Sequence, residues 1–377
     1  VKRSLLLAAA LAALVPRALA QGDLSSQGYG YPAGPLSTRA LATGGAVGEL
    51  DPVTTLNPAA LTTWGRSGLY GQFGPEWRSL DAGGTTSGST LIRFPLFVGA
   101  LSATDRLMFG LSFTNFLDRT WGTQTSGYYP SGSDSVAYSQ TFTSGGAITN
   151  VRLAAGYRIS NSLRIGVGGH LYTGQQTLSI SEIFADTNFA SFFQVSRVNV
   201  TGGGLSAGVA WSPIPTIAFG ASGMIGSVMT ARRNDSVVAS ARVPARAGVT
   251  ALYAGVNGVV LAADVEWTQW SAMNGLASSP ILAVDSWDYG VGAEIKLPTA
   301  NGVDIPLRIG YRQRTLPFQA DSATVKETAF SGGVGVPLSG GKARLDIGVI
   351  RSLRRADLPQ PVKENAWTVS IGILVRP

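Results

Sequence analysis

The chain has 377 residues, a formal charge of +7, no cysteine, 48 glycines, 45% hydrophobic residues and only 14% charged residues. The apolar content excludes a disordered chain, and the missing cysteine excludes a disulfide scaffold or a thiolate-held metal centre. No run of about 20 apolar residues is present, which argues against a helical membrane protein.

Residues 1–20 read as a secretory signal: Lys2 and Arg3 lead, Leu5 to Val15 is small and apolar, and Ala18-Leu19-Ala20 offers a small-x-small cleavage site. Lys2, Arg3 and Arg17 would leave with it, which lowers the positive charge and weakens a nucleic-acid reading. Residues 21–64 are rich in Gly, Pro, Ser and Thr and show little alternation, so they read as a compact irregular unit, with a short helix or turn within Leu36 to Val47. Asp51-Pro52 and Asn57-Pro58 each bias the residue before proline away from helix.

From Ser67 the hydrophobic period becomes two, the mark of strands with two different faces. Leu107, Phe109, Leu111 and Phe113 alternate with Gly110, Ser112 and Thr114; Ile305, Leu307, Ile309 and Tyr311 alternate with Arg308, Gly310 and Arg312. Fourteen such segments run through residues 65–377, an even number as expected of a bacterial transmembrane barrel. Asn161-Ser162, Asn257-Gly258 and Gly340-Gly341 read as tight turns, and residues 120–135 and 180–192 as long connections. The polar face is mostly Gly, Ser, Thr and Ala with charges of both signs, unlike the Lys- and Glu-rich face of a soluble sandwich. The eight tryptophans sit in several cases near segment ends, as an interfacial girdle requires. The fold expected is an all-β transmembrane antiparallel barrel, closed because only closure satisfies strand edges in lipid.

Three features resemble the outer-membrane hydrophobic-compound transporters, the long-chain fatty-acid transporter (FadL/TodX) family: the stretch Ala40 to Val47 leading through Asp51 to Asn57-Pro58-Ala59 just before the first strand, the fourteen segments, and the late run Ile305 to Arg312 followed by Leu316-Pro317-Phe318. The resemblance implies a Gram-negative outer-membrane location, a barrel plugged by an N-terminal hatch (residues 21–64), and passive transport of fatty acids or other hydrophobic small molecules. Some members release ligand sideways through a kink in a wall strand near the Asn-Pro-Ala element. It also implies outer-membrane lipid and the barrel assembly machinery as partners, and no cofactor, ATP or metal. A secretion or surface-assembly barrel and an open general porin are the rival readings, and no nucleophile–base pair points to an enzyme.

Candidate site residues follow. Asn57, Pro58 and Ala59 form either a hatch element or an ordinary turn. Arg308, Arg312, Arg152, Glu294 and Asp346 are among the charges sharing one strand parity, which a lipid-embedded barrel must turn inward. These charges either brace barrel and hatch or, at Arg308 and Arg312, bind a ligand carboxylate. Phe184, Phe189, Phe192 and Phe193 cluster in one connection and either capture ligand or fold over the barrel mouth. His170, the single histidine, reads as a neutral lumen hydrogen-bonder.

Overall fold

The computed structural model describes residues 24–26, 28–82, 85–131, 134–276, 282–298, 304–320, 322–359 and 361–376; the segment 1–20, expected to be a secretory signal, lies outside them. Eighteen antiparallel segments make one sheet: β1 (Gly68–Ala82), β2 (Thr85–Arg93), β3 (Leu96–Ser102), β4 (Leu107–Asp118), β5 (Trp121–Ser131), β6 (Asp134–Arg158), β7 (Leu163–Phe184), β8 (Phe192–Ile214), β9 (Ile217–Gly226), β10 (Val228–Arg233), β11 (Ser236–Arg242), β12 (Arg246–Val256), β13 (Val259–Thr268), β14 (Ser286–Leu297), β15 (Ile305–Thr315), β16 (Val325–Leu338), β17 (Ala343–Ala356) and β18 (Val362–Val375). The pairs β2/β3, β4/β5, β9/β10 and β11/β12 each continue one stave across a short break, which leaves fourteen staves. Pairing of β1 with β18, from Leu69 opposite Val375 to Ala82 opposite Val362, closes the barrel.

Side-chain parity sorts the two faces. In β4, Phe109, Leu111 and Phe113 point outward and are exposed, whereas Gly110, Ser112 and Thr114 point inward and are buried. Exposed apolar side chains recur round the wall, for example Leu153, Val167, Leu205, Val249, Val291, Ile309, Val349 and Ile373. An apolar exterior continuous round a closed barrel is a lipid-facing surface. Trp77, Trp211, Trp287 and Trp367 lie on it. Trp64 and Trp270 do not fit a girdle: both are buried inside, where the Trp64 indole donates to Pro52 O at 2.7 Å.

The expected tight turns at 161–162, 257–258 and 340–341 all fall on one rim. The long connections expected at 120–135 and 180–192 are mostly strand instead. Trp121–Ser131 pairs with Asp134–Ser144, and β6 pairs with β7 as far as Tyr138 opposite Phe184. Threonines, tyrosines and Val136 in these stretches favour a pleated strand more than their glycines and serines oppose it.

The N-terminal segment lies against the inward faces of the staves. Thr38–Ala42 is a helix capped by Ser37, whose Oγ accepts from Ala40 N at 3.0 Å, and Pro58–Trp64 is a 3-10 turn. Glycines on the wall make room for it. A Cβ at Gly156 would stand 2.9 Å from Pro58 O, and one at Gly333 would stand 2.7 Å from Ala42 Cβ. Gly310, Gly292 and Gly290 likewise admit the backbone of Thr43 and Gly44, and Gly44 itself has φ +66, a conformation suited to glycine.

Candidate binding site in the barrel lumen

Two neighbouring staves part halfway up the wall. The β3–β4 ladder ends at Leu96 opposite Thr114, with one further bond from Asn115 N to Pro95 O at 2.9 Å. Beyond that point β2 pairs with β1 and β5 pairs with β6, and among the described residues β2 and β5 do not pair with each other. At the break β4 carries a bulge between Asn115 and Leu117. The extra residue turns both Phe116 and the fully buried Leu117 inward.

The N-terminal segment supplies the missing partner. Tyr31 N donates to Asp118 O at 2.8 Å, Asp118 N donates to Tyr31 O at 2.9 Å, and Gly34 N donates to Asn115 O at 3.3 Å. Gly30 has φ +110, and a Cβ there would run into the Asp118 carbonyl. The Tyr31 ring is enclosed by guanidinium carbons of Arg354, Arg314, Arg93 and Arg78 at 4.5, 5.0, 5.2 and 5.7 Å from its centroid. Four carboxylates, Glu76, Glu327, Glu364 and Asp118, pair with these arginines, for example Arg93 with Glu76 at 2.7 Å and Arg314 with Glu327 at 2.6 Å. Buried charges of this kind need such pairing.

Beside the break lies a cavity of about 120 Å³. Pro32, Gly34, Leu36 and Leu56 of the N-terminal segment form one side of it. Phe116, Tyr172, Met224, Trp270 and Pro317 form an aromatic and apolar wall, in which the Phe116 ring stacks on Trp270 at 5.2 Å and meets Tyr172 edge-on at 4.8 Å. A polar wall faces it: Asn150, His170 and Ser206 on β6, β7 and β8, then Arg246, Glu266, Asp288, Arg312 and Arg314. His170 Nδ1 meets Asn150 Oδ1 at 3.1 Å, and its Nε2 meets Ser206 Oγ at 2.8 Å.

The residues singled out from sequence occupy three places. Asn57 caps the 3-10 turn by accepting from Ala59 N at 2.9 Å, and its Nδ2 donates to Val209 O at 2.9 Å. The Pro58-Ala59 backbone rests on Gly156 and Gly166 of β6 and β7, and the Asn57 side chain on Gly208 of β8, not on the parted staves. Arg308 is buried and bonded to Glu294 at 2.8 Å and to Asp346 at 2.7 Å; it does not line the cavity. Arg312 does line it, with Nε held by Asp288 at 2.8 Å. Arg39 and Glu49 of the N-terminal segment reach the wall, Arg39 to Glu294 at 2.9 Å and Glu49 to Arg246. Burial alone would lower the Arg39 pKa, but the Glu294 and Asp51 carboxylates more than offset this and hold it above the usual guanidinium value. Phe184 and Phe189 pack at 5.5 Å at the far rim, where Phe184 also meets Tyr129 at 5.8 Å. Phe192 and Phe193 begin β8 and stand exposed.

Sequence reasoning missed Phe116, Tyr172, Ser206, Trp270 and Tyr31 as site residues. Phe116 carried a usable signal: it is an aromatic at an inward-parity position, where neighbouring staves carry small or polar residues.

Closed topology, lipid-facing exterior and an occupied lumen define a transmembrane β-barrel with internal structure. No family model matches the chain, and no curated protein matches it in sequence. Among solved structures it is similar to a Pseudomonas aeruginosa FadL homologue (TM-score 0.61, 14% identity, covering 92% of this chain and 99% of that one). It is also similar to the Ralstonia pickettii toluene transporter TbuX (TM-score 0.59, 15% identity, 92% and 98%) and the Pseudomonas putida toluene transporter TodX (TM-score 0.57, 14% identity, 91% and 98%). The fold is the FadL/TodX-like barrel.

Proposed function

We propose that this chain is an outer-membrane passive transporter of hydrophobic small molecules, with residues 21–64 as its hatch. The observation that carries this reading is the aromatic-walled cavity lying directly beside the parted staves. Phe116, Asn115 and Gly34 belong both to the cavity lining and to the break. Cargo enters the lumen, rests against Phe116, Tyr172 and Trp270, and leaves sideways once Gly30–Gly34 withdraws from β4. Withdrawal breaks a few backbone bonds, each worth about 1 kcal/mol net, and lifts the Tyr31 ring and hydroxyl away from Arg314, Arg354 and Glu327, whereas opening a full ladder would break many more backbone bonds.

Cargo size follows from the cavity. A cavity of about 120 Å³ is near the roughly 150 Å³ apolar cavity that takes up one benzene. The cargo class is therefore single-ring compounds, and a long-chain fatty acid would occupy this site with only part of its length. Solved relatives named as toluene transporters support the same scale.

The test is a calorimetric titration of the detergent-purified barrel with toluene and with a long-chain fatty acid, paired with uptake of each by cells with and without the protein. Saturable toluene binding together with protein-dependent uptake is expected. A well-folded barrel that neither binds nor transports either compound overturns the reading.

A further inference from the structure

The polar wall of the cavity is built to receive a hydrogen bond. With Oδ1 of Asn150 facing His170 Nδ1, that nitrogen carries the ring proton and Nε2 is left as acceptor, 2.8 Å from Ser206 Oγ. Ser206 therefore spends its one proton on His170, and its oxygen lone pairs remain as acceptors. Ser206 is 8% exposed and lines the cavity, so water competes little for those lone pairs.

The arginines on the same wall are already committed. Arg246 is paired with Glu49 and Glu266, Arg312 with Asp288, and Arg314 with Glu327. An anionic ligand would have to displace a carboxylate from one of them. Arg152, buried behind this wall, donates to Thr55 O at 2.7 Å and does not line the cavity. The opposite wall, with Phe116 and Trp270, has the shape and polarity for a ring.

We infer that the preferred cargo is a neutral aromatic alcohol of phenol type, its ring against Phe116 and Trp270 and its hydroxyl donating to Ser206 Oγ. This rests on the transport reading above and narrows its substrate class: an unsubstituted hydrocarbon leaves the Ser206 acceptor unused, and an aromatic carboxylate meets Glu266 and Asp288 with no uncommitted arginine on the cavity wall.

The experiment is a calorimetric comparison of p-cresol, toluene and p-toluate on the native barrel and on Ser206→Ala and His170→Phe barrels. Folding of each is checked by circular dichroism and heat-modifiable migration. One added hydrogen bond predicts that p-cresol binds native protein on the order of five- to tenfold more tightly than toluene. It also predicts that the cresol-to-toluene ratio falls toward one in Ser206→Ala. Equal affinities for cresol and toluene in the native barrel, a ratio unchanged in both variants, or tightest binding of p-toluate would overturn the inference while leaving the transporter reading in place. Absence of binding by all three compounds would overturn both.

Discussion

Tyr31 and Asp118 exchange both of their backbone hydrogen bonds, at 2.8 and 2.9 Å, across 87 residues of chain. That pair joins the N-terminal segment to the wall at the height where β2 and β5 part. Such a hydrogen-bonded antiparallel pair holds its Cα atoms about 5.5 Å apart, within the span a disulfide bridges. The chain has no cysteine of its own. A Tyr31→Cys, Asp118→Cys barrel should therefore cross-link, and its reduced form serves as the reference because both substitutions also remove the Arg93 partner and the caged ring. Oxidised, it should bind toluene but fail to release it to the lipid, and dithiothreitol should restore uptake in the same variant. Equal uptake by the oxidised and reduced forms would show that cargo leaves by another route.

The glycine seats give a second prediction. A Cβ at Gly310 would collide with the Thr43–Gly44 backbone, whereas one at Gly169 meets nothing within 4 Å. Gly310→Ala should lift the N-terminal segment from β15 while the ladders to β14 and β16 persist. In planar bilayers its single-channel current should exceed that of the native protein, and Gly169→Ala should behave like native. Unchanged current in Gly310→Ala with a folded barrel would mean that the segment does not limit small-ion flow.

The arginines divide by partner. Arg246→Ala would strand Glu49, which is fully buried, along with Glu266. Removing one partner of a buried pair typically costs about 3–5 kcal/mol, and here the loss should fall on docking of the N-terminal segment. Hydrogen exchange over residues 45–56 should rise sharply. Arg355→Ala breaks an exposed pair with Asp357 and should change exchange little.

Much of the wall was legible because parity is a local property. Phe109, Leu111 and Phe113 announce their face within seven residues, and lipid then requires the intervening charges to turn inward. What could not be read depends on register and on distant contacts. Glu294 faces Arg308 across the β14–β15 ladder, so Arg308 is committed to a brace rather than offered to a ligand, yet nothing local to the sequence of β15 says so. The bulge at Phe116 is similar: its apolar neighbour Leu117 would sit on the outer face by strict alternation and is instead fully buried. The wall glycines were half legible. Gly156 and Gly166 share the inward parity, and glycine within a strand signals close approach of another backbone, but which backbone approaches only the fold reveals.

The far-rim aromatics yield the last prediction. Phe184, Phe189, Tyr129 and Tyr138 make one ring cluster, with Tyr129 and Tyr138 at 4.6 Å, while Phe193 is 70% exposed on the next strand. Exposed rings at a barrel mouth can collect apolar solutes before they reach the lumen. Capture of this kind acts on the association rate and leaves the luminal site unaltered. Replacing Phe184, Phe189, Phe192 and Phe193 by serine should therefore slow stopped-flow association of a fluorescent hydrophobic probe several-fold, while its dissociation rate from the lumen stays constant. If dissociation changed instead, these rings would belong to the binding site itself, and if neither rate moved, the cluster would serve only to hold the long β5–β8 hairpins together.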